Sequence, residues 1–141
     1  MFVARARLLK RIDGERVRQA IAAAEHQTSV RVRVSLAPFF WGDVRRAAER
    51  AFTRLGRHGV LIFVVPSRRK FVVLGDEDIH ARVGQEFWDD VTAAMADYFR
   101  AGDFTGGLVH GIETVGRELA PSLPYDAAAD SGEGPDEIDV G

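Results

Sequence analysis

The apolar positions along the chain switch between helical and strand spacing several times, and each switch marks an element. From Asp13 to His26, Val17, Ala20, Ile21 and Ala24 recur one helical turn apart behind Asp13, a residue suited to an N-cap. The next stretch, Val30-Arg31-Val32-Arg33-Val34-Ser35-Leu36, alternates apolar with polar. That pattern predicts a strand with one buried face and one wet, arginine-bearing face, ended by Pro38. Val44, Ala47, Ala48, Ala51, Phe52 and Leu55 return to helical spacing, and Gly56 stands where a C-cap glycine belongs.

Val60-Leu61-Ile62-Phe63-Val64-Val65 is a continuous apolar run before Pro66, as expected of a central strand covered on both faces. The turn Ser67-Arg68-Arg69-Lys70 is too short for a parallel crossover, so Phe71-Val72-Val73-Leu74 should pair with that strand as a hairpin. Two more helices follow. One runs from about Glu86 to Ala101 through Phe87, Val91, Ala94, Met95 and Tyr98; the other uses Phe104, Leu108, Ile112, Val115 and Leu119, with Gly102-Asp103 between them. Residues 121–141 are rich in proline, glycine, alanine and acids and hold few apolar groups, which predicts an extended or disordered acidic tail behind a domain spanning 1–120. The order α-β-α-β-β-α-α implies a three-layer α/β/α sandwich with a mixed, mostly parallel sheet that includes one hairpin.

Composition narrows the chemistry. With 141 residues and no cysteine, one domain can bury a core without staples, and disulfides, thiolate zinc sites and sulfur nucleophiles are excluded. The N-terminal stretch has basic residues every few positions and no long apolar run, so neither a signal peptide nor a membrane span is expected, and the cytoplasm is the expected compartment. Residues 1–70 carry 16 Lys/Arg against 5 Asp/Glu, whereas residues 71–141 carry 3 against 16. Such halves either attract each other within the fold or present faces of opposite sign to partners. Arg45, Arg46, Arg50 and Arg54 fall off the apolar stripe of the second helix and form a positive face, either simply solvated or turned towards an anionic surface. Nucleic acid is disfavoured as a partner, because no recognition motif and no aromatics interleaved with the basic residues are present; a protein partner is favoured. Phe39-Phe40-Trp41 is the one aromatic cluster in a loop, fit for a lid, an interface patch or a plug.

The densest group of candidate ligands is Gly75-Asp76-Glu77-Asp78-Ile79-His80, at the end of the third strand. Three successive carboxylates suit a hard cation, calcium or magnesium, although the spacing is not that of a helix-loop-helix calcium site. The competing reading is that Asp76 or Asp78 caps a helix beginning near Ile79. His80 has the chemistry of a general acid or base, Arg57 that of a phosphate clamp, and His58 beside it could join such a patch. His26 and His110 lack partners at metal-ligand spacing. No phosphate-binding glycine loop, nucleophile elbow or zinc-protease helix is present. The glycines of Gly102-Asp103-Phe104-Thr105-Gly106-Gly107 fit close helix packing, with Asp103 as a cap.

Several ordered pieces together resemble the TPM domain family, whose founding members include a thylakoid protein of photosystem II repair. They are Ala24-Glu25-His26-Gln27-Thr28-Ser29, Arg57-His58-Gly59-Val60-Leu61-Ile62, Arg69-Lys70-Phe71-Val72-Val73-Leu74-Gly75-Asp76, Val83-Gly84-Gln85-Glu86-Phe87-Trp88, Phe99-Arg100-Ala101-Gly102-Asp103-Phe104 and Pro135-Asp136-Glu137-Ile138. They resemble the soluble bacterial subgroup. The resemblance implies an α/β/α sandwich and either of two activities, calcium binding or acid phosphatase chemistry, with Asp76 in the expected cation region and Asp136 and Glu137 as further ligands. The sequence departs from the family where an acid has become Arg31, where Arg-Asn-Gly reads Arg57-His58-Gly59, and in Gly132-Glu133-Gly134 before Pro135. Three functions are thereby expected, in order: a noncatalytic cation-binding or protein-interaction module through Asp76, Glu77 and Asp78; a metal-assisted acid phosphatase using His80 and Arg57; and anionic-surface binding through the second-helix arginines.

Overall fold

A computed structural model describes residues 12–37, 40–126 and 138–140, with the backbone alone at Val140. Its elements are α1 (Gly14–Glu25), β1 (Val32–Leu36), α2 (Val44–Arg54), β2 (Val60–Val65), a short 3-10 turn (Pro66–Arg68), β3 (Lys70–Gly75), α3 (Glu77–Arg100), α4 (Phe104–Leu119) and β4 (Ile138–Val140). Four of these begin on an aspartate whose carboxylate accepts a backbone N–H three residues on: Asp13 from Arg16, Asp43 from Arg46, Asp76 from Ile79 and Asp103 from Gly106. Each cap satisfies one of the donors a helix start leaves open, and each starts its helix at a defined residue.

The sheet runs β3-β2-β1-β4. β1 lies parallel to both β2 and β4, and β3 is antiparallel to β2. Alternation along the strands builds two cores. Val32, Val34, Leu36, Val60, Ile62, Val64 and Val73 point to the face covered by α1, α3 and α4, whereas Leu61, Phe63 and Val65 meet Ala47, Ala48, Ala51 and Phe52 of α2. The sandwich expected from the hydrophobic pattern is the structure found. The glycines of α4 do allow close packing: a Cβ on Gly107 would stand 2.6 Å from the Phe99 ring, and one on Gly116 2.8 Å from the Cβ of Ala24.

Two features depart from the pattern-based expectation. β1 has no wet face: all five residues are buried, Arg33 included at 9% exposure, because the end of α2 and the extra strand β4 cover it. The strand β4 comes from within the tail and pairs Ile138, Asp139 and Val140 with Val34, Ser35 and Leu36. The short helix expected near Ile79, capped by Asp76, and the helix expected from about Glu86 are both present, joined as α3 across a break at Gly84 (φ 76°, ψ 174°). Asp136 and Glu137 lie outside the described residues, as does Phe39.

Candidate functional site

The hairpin decides where the acidic turn lies. β3 is antiparallel to β2 and pairs Gly75 with Val60, so Asp76 emerges beside the start of β2. Ligand crevices of open α/β sheets form outside the carboxyl ends of the parallel strands, which is the opposite edge.

At this edge Asp76 serves as a corner brace. One carboxylate oxygen accepts the N–H of Ile79 at 2.9 Å and the other the N–H of Gly59 at 2.7 Å, while the Asp76 N–H donates to the Gly59 carbonyl at 3.0 Å. Gly59 has φ +76°, and a Cβ there would fall 2.1 Å from the carbonyl oxygen of Arg31, which itself accepts the N–H of Val60 at 2.8 Å. The starts of β1, β2 and α3 are thus tied together through one side chain and one glycine. Arg31, the departure from the family pattern, contributes its backbone to this corner.

Glu77 and Asp78 are exposed in the first turn of α3, where the helix dipole favours acids. The same dipole and the outward-facing N–H groups oppose a cation. Calcium or magnesium would need several free oxygens in one place. Here both Asp76 oxygens accept backbone N–H groups, and among the described residues no three His, Asp or Glu side chains gather as a metal-binding group. The described donor set does not fit a resident cation.

His80 lies one turn into α3, and its Nδ1 accepts the indole N–H of Trp88 at 3.0 Å across the Gly84 break. An indole N–H can only donate, so His80 Nδ1 is the acceptor in this bond. Arg57 ends α2 in a Schellman arrangement: the Gly56 N–H donates to the Thr53 carbonyl and the Arg57 N–H to the Phe52 carbonyl, with φ +94° at Gly56 and +55° at Arg57. Its guanidinium turns back on α2, donating to Thr53 Oγ1 at 3.1 Å, 3.6 Å from Glu49 and 5.2 Å from the centre of the Phe52 ring. His58 is exposed beside it. His26 stacks on Tyr125 with ring centres 5.5 Å apart, and His110 lies tilted against Tyr98 at 5.4 Å. The structure therefore brings neither His80 nor Arg57 into a shared catalytic arrangement with the three acids.

The carboxyl end of β1 looks different. A shallow pocket of about 260 Å³ opens between α2 and the strand ends, lined by Ser35, Ala37, Arg50, Ala51, Arg54 and Phe63 among others. Beside it the Asp139 carboxylate accepts from Arg54 Nη2 at 2.8 Å and from Ser35 Oγ at 3.1 Å. These bonds hold the Asp139 carboxyl below the usual carboxylate range, chiefly through the Arg54 guanidinium, and push Arg54 upward in turn. Further along the same face Arg33 Nη1 donates to the Leu55 carbonyl at 2.5 Å, and burial lowers its pKa. Arg33 Nε is buried without a partner. On the loop leaving β1 at this end, Phe40 packs against the smaller core while Trp41 stands 80% exposed, and Arg68 Nη1 donates to the Gly42 carbonyl at 2.7 Å. Sequence reasoning placed the arginines of α2 on a face and Trp41 in a loop, but missed Asp139. The only signal was the alternation of Ile138-Asp139-Val140, too short to stand out.

Fold and site together describe an α/β/α sandwich domain with a structural acidic corner at one sheet edge and a cationic, aromatic edge at the other. The chain belongs to the TPM domain family, whose model matches residues 2–118. A search of curated proteins finds no match. Among solved structures it is similar to the BA42 protein of the psychrophilic bacterium Bizionia argentinensis, with 34% identity, a TM-score of 0.81 and coverage of 92% of this chain and 95% of that one. It also resembles the N-terminal domain of the cg2496 protein of Corynebacterium glutamicum, with 17% identity, a TM-score of 0.65 and coverage of 79% and 74%, a likeness of fold alone. Among the described residues no helix is long and apolar enough to cross a membrane.

Proposed function

We propose that this protein is a noncatalytic protein-interaction module whose contact face is the carboxyl end of the parallel strands. The observation that carries the reading is Trp41, an indole left 80% exposed on the loop between β1 and α2, at the end where the pocket opens. Tryptophan and arginine supply a large share of binding energy at protein interfaces, usually where an aromatic anchor is ringed by polar groups. Trp41 with Arg50 and Arg54 has that composition. The groups with the best credentials for chemistry are otherwise engaged: Asp76 holds two backbone N–H groups and His80 holds Trp88.

Two measurements test the reading. Partners captured from native extract by the full chain should be lost with Trp41→Ala at unchanged thermal stability. Hydrolysis of a chromogenic phosphate monoester should be absent, or should be indifferent to Asp76→Asn. Hydrolysis that survives repurification and disappears in that variant would replace this reading with the metal-assisted phosphatase.

A further inference from the structure

β4 is a short strand with a specific grip. It adds three residues to the free side of β1, in parallel, and its central side chain reaches the face where Ser35 and Arg54 wait. Ile138 packs against the larger core from a half-buried position. Such a strand is weakly held. Three residues is the lower limit of strand length, and an ion pair with an exposed arginine contributes little. What it lacks in intrinsic strength it makes up by being on the same chain, which raises its effective concentration to about the millimolar range.

The position beneath β4 is built to receive an acid. Asp139 pairs directly opposite Ser35, so the strand register that satisfies the backbone also delivers a carboxylate to a hydroxyl and a guanidinium. Arg33 lies one pleat further along β1 on the same face, buried, with its Nε unpartnered, and Arg50 lines the pocket next to Arg54. Arg33, Arg50 and Arg54 thus lie along the face on which Asp139 docks. Strand addition at a sheet edge uses backbone hydrogen bonds for affinity and alternate side chains for selectivity, and both devices are present here.

We infer that the β1 edge is a strand-binding groove, that β4 is its resident pseudo-ligand, and that its partner is an extended protein segment in which an acidic residue is flanked by β-branched apolar residues. This inference rests on the interaction-module reading and adds to it the chemistry of the partner. An incoming strand takes the place of β4, runs parallel to β1, and sets its acid against Ser35 and Arg54.

The probe is a fluorescent peptide with the sequence of residues 135–141, Pro-Asp-Glu-Ile-Asp-Val-Gly, added to the full chain. Asp139→Lys places a cation against Arg54, which expels the resident strand. The peptide is expected to bind this variant at least about tenfold more tightly than the wild type, because the tethered competitor has gone. It should shift the backbone amide resonances of Val34 and Leu36. Adding Arg54→Glu, or reversing the charge of the peptide's acid at position 139, should abolish binding. Should Asp139→Lys fail to fold, Ile138→Ser serves instead, since it removes the apolar anchor without adding charge near the arginines.

Equal affinity for variant and wild type, indifference to the peptide's charge at position 139, or shifts confined to β3 or to the Trp41 loop would each overturn the inference. So would a wild-type dimer that Asp139→Lys dissociates, which would assign the edge to a second copy of this chain. Failure here leaves the broader reading standing, because that one depends on Trp41 and on the absence of phosphatase activity linked to Asp76.

Discussion

Asp76 shows how one side chain can resemble a ligand in sequence and act as a brace in structure. Its two oxygens are bonded to the Ile79 and Gly59 N–H groups, so Asp76→Ala removes a helix cap and a turn tie together. Losing a cap costs about 1 kcal/mol and losing a charged hydrogen bond about 1.5–3 kcal/mol. Urea denaturation should therefore find Asp76→Ala destabilised by about 2–3 kcal/mol, with Asp76→Asn intermediate because its one carbonyl oxygen can still accept. Millimolar calcium should leave the melting temperature of the wild type unchanged. A calcium-dependent rise that Asp76→Ala removes would restore the cation to this turn. Gly59 and Gly84 both have φ +76°, yet they should respond differently to alanine. At Gly84 a Cβ meets nothing within 4 Å, so the cost is the backbone conformation alone, about 1–3 kcal/mol. At Gly59 the Cβ also collides with the Arg31 carbonyl at 2.1 Å, so Gly59→Ala should be clearly the more destabilised of the two in the same denaturation series.

At the scale of elements, β4 carries a pH dependence. Asp139 has its carboxyl lowered in the folded state by Arg54 and Ser35, so its contribution is present above the ordinary carboxylate pKa. That contribution is lost as pH falls through the lowered folded value, and protonation removes the ion pair. The amides of Ser35 and Leu36 should therefore shift on acidification, before any global loss of structure and in the same direction as in Asp139→Asn at neutral pH. Coincident loss of β4 and the whole fold would show that the strand is not separately released. Most elements around this edge were legible in the sequence, because local signals agreed. Asp13, Asp76 and Asp103 cap helices as their positions suggest, Gly56 ends α2, and the short turn before Phe71 forces a hairpin. Two features were not. The burial of Arg33 depends on Leu55 and on β4, both distant in sequence, and a three-residue strand within an acidic tail has too little pattern to be read. The place of the acidic turn at the amino end of the parallel strands follows from that same hairpin, because an antiparallel β3 must end beside the start of β2.

For the whole molecule, the opposite charges of the two chain halves meet at a specific contact, the pair of Arg54 from the basic half with Asp139 from the acidic half. That pair adjoins the pocket, on the edge from which the Trp41 loop departs, so the charge split and the exposed indole converge on one edge of the sandwich. The chain has two tryptophans, and they report on different places: Trp88 is buried, whereas Trp41 is exposed. Iodide should therefore quench a fraction of the wild-type fluorescence that Trp41→Phe eliminates, leaving the shielded Trp88 emission. Because Trp41 contributes little to the core, Trp41→Ala should change folding stability by no more than about 0.5 kcal/mol, as for other surface substitutions. Its effect on a captured partner should be much larger. An aromatic anchor at an interface centre is worth about 2 kcal/mol or more, which is roughly a thirtyfold loss of affinity. Adding that partner should shield Trp41 from iodide and shift its emission to the blue. Partner affinity unchanged in Trp41→Ala, or quenching unchanged on complex formation, would move the contact face away from this edge.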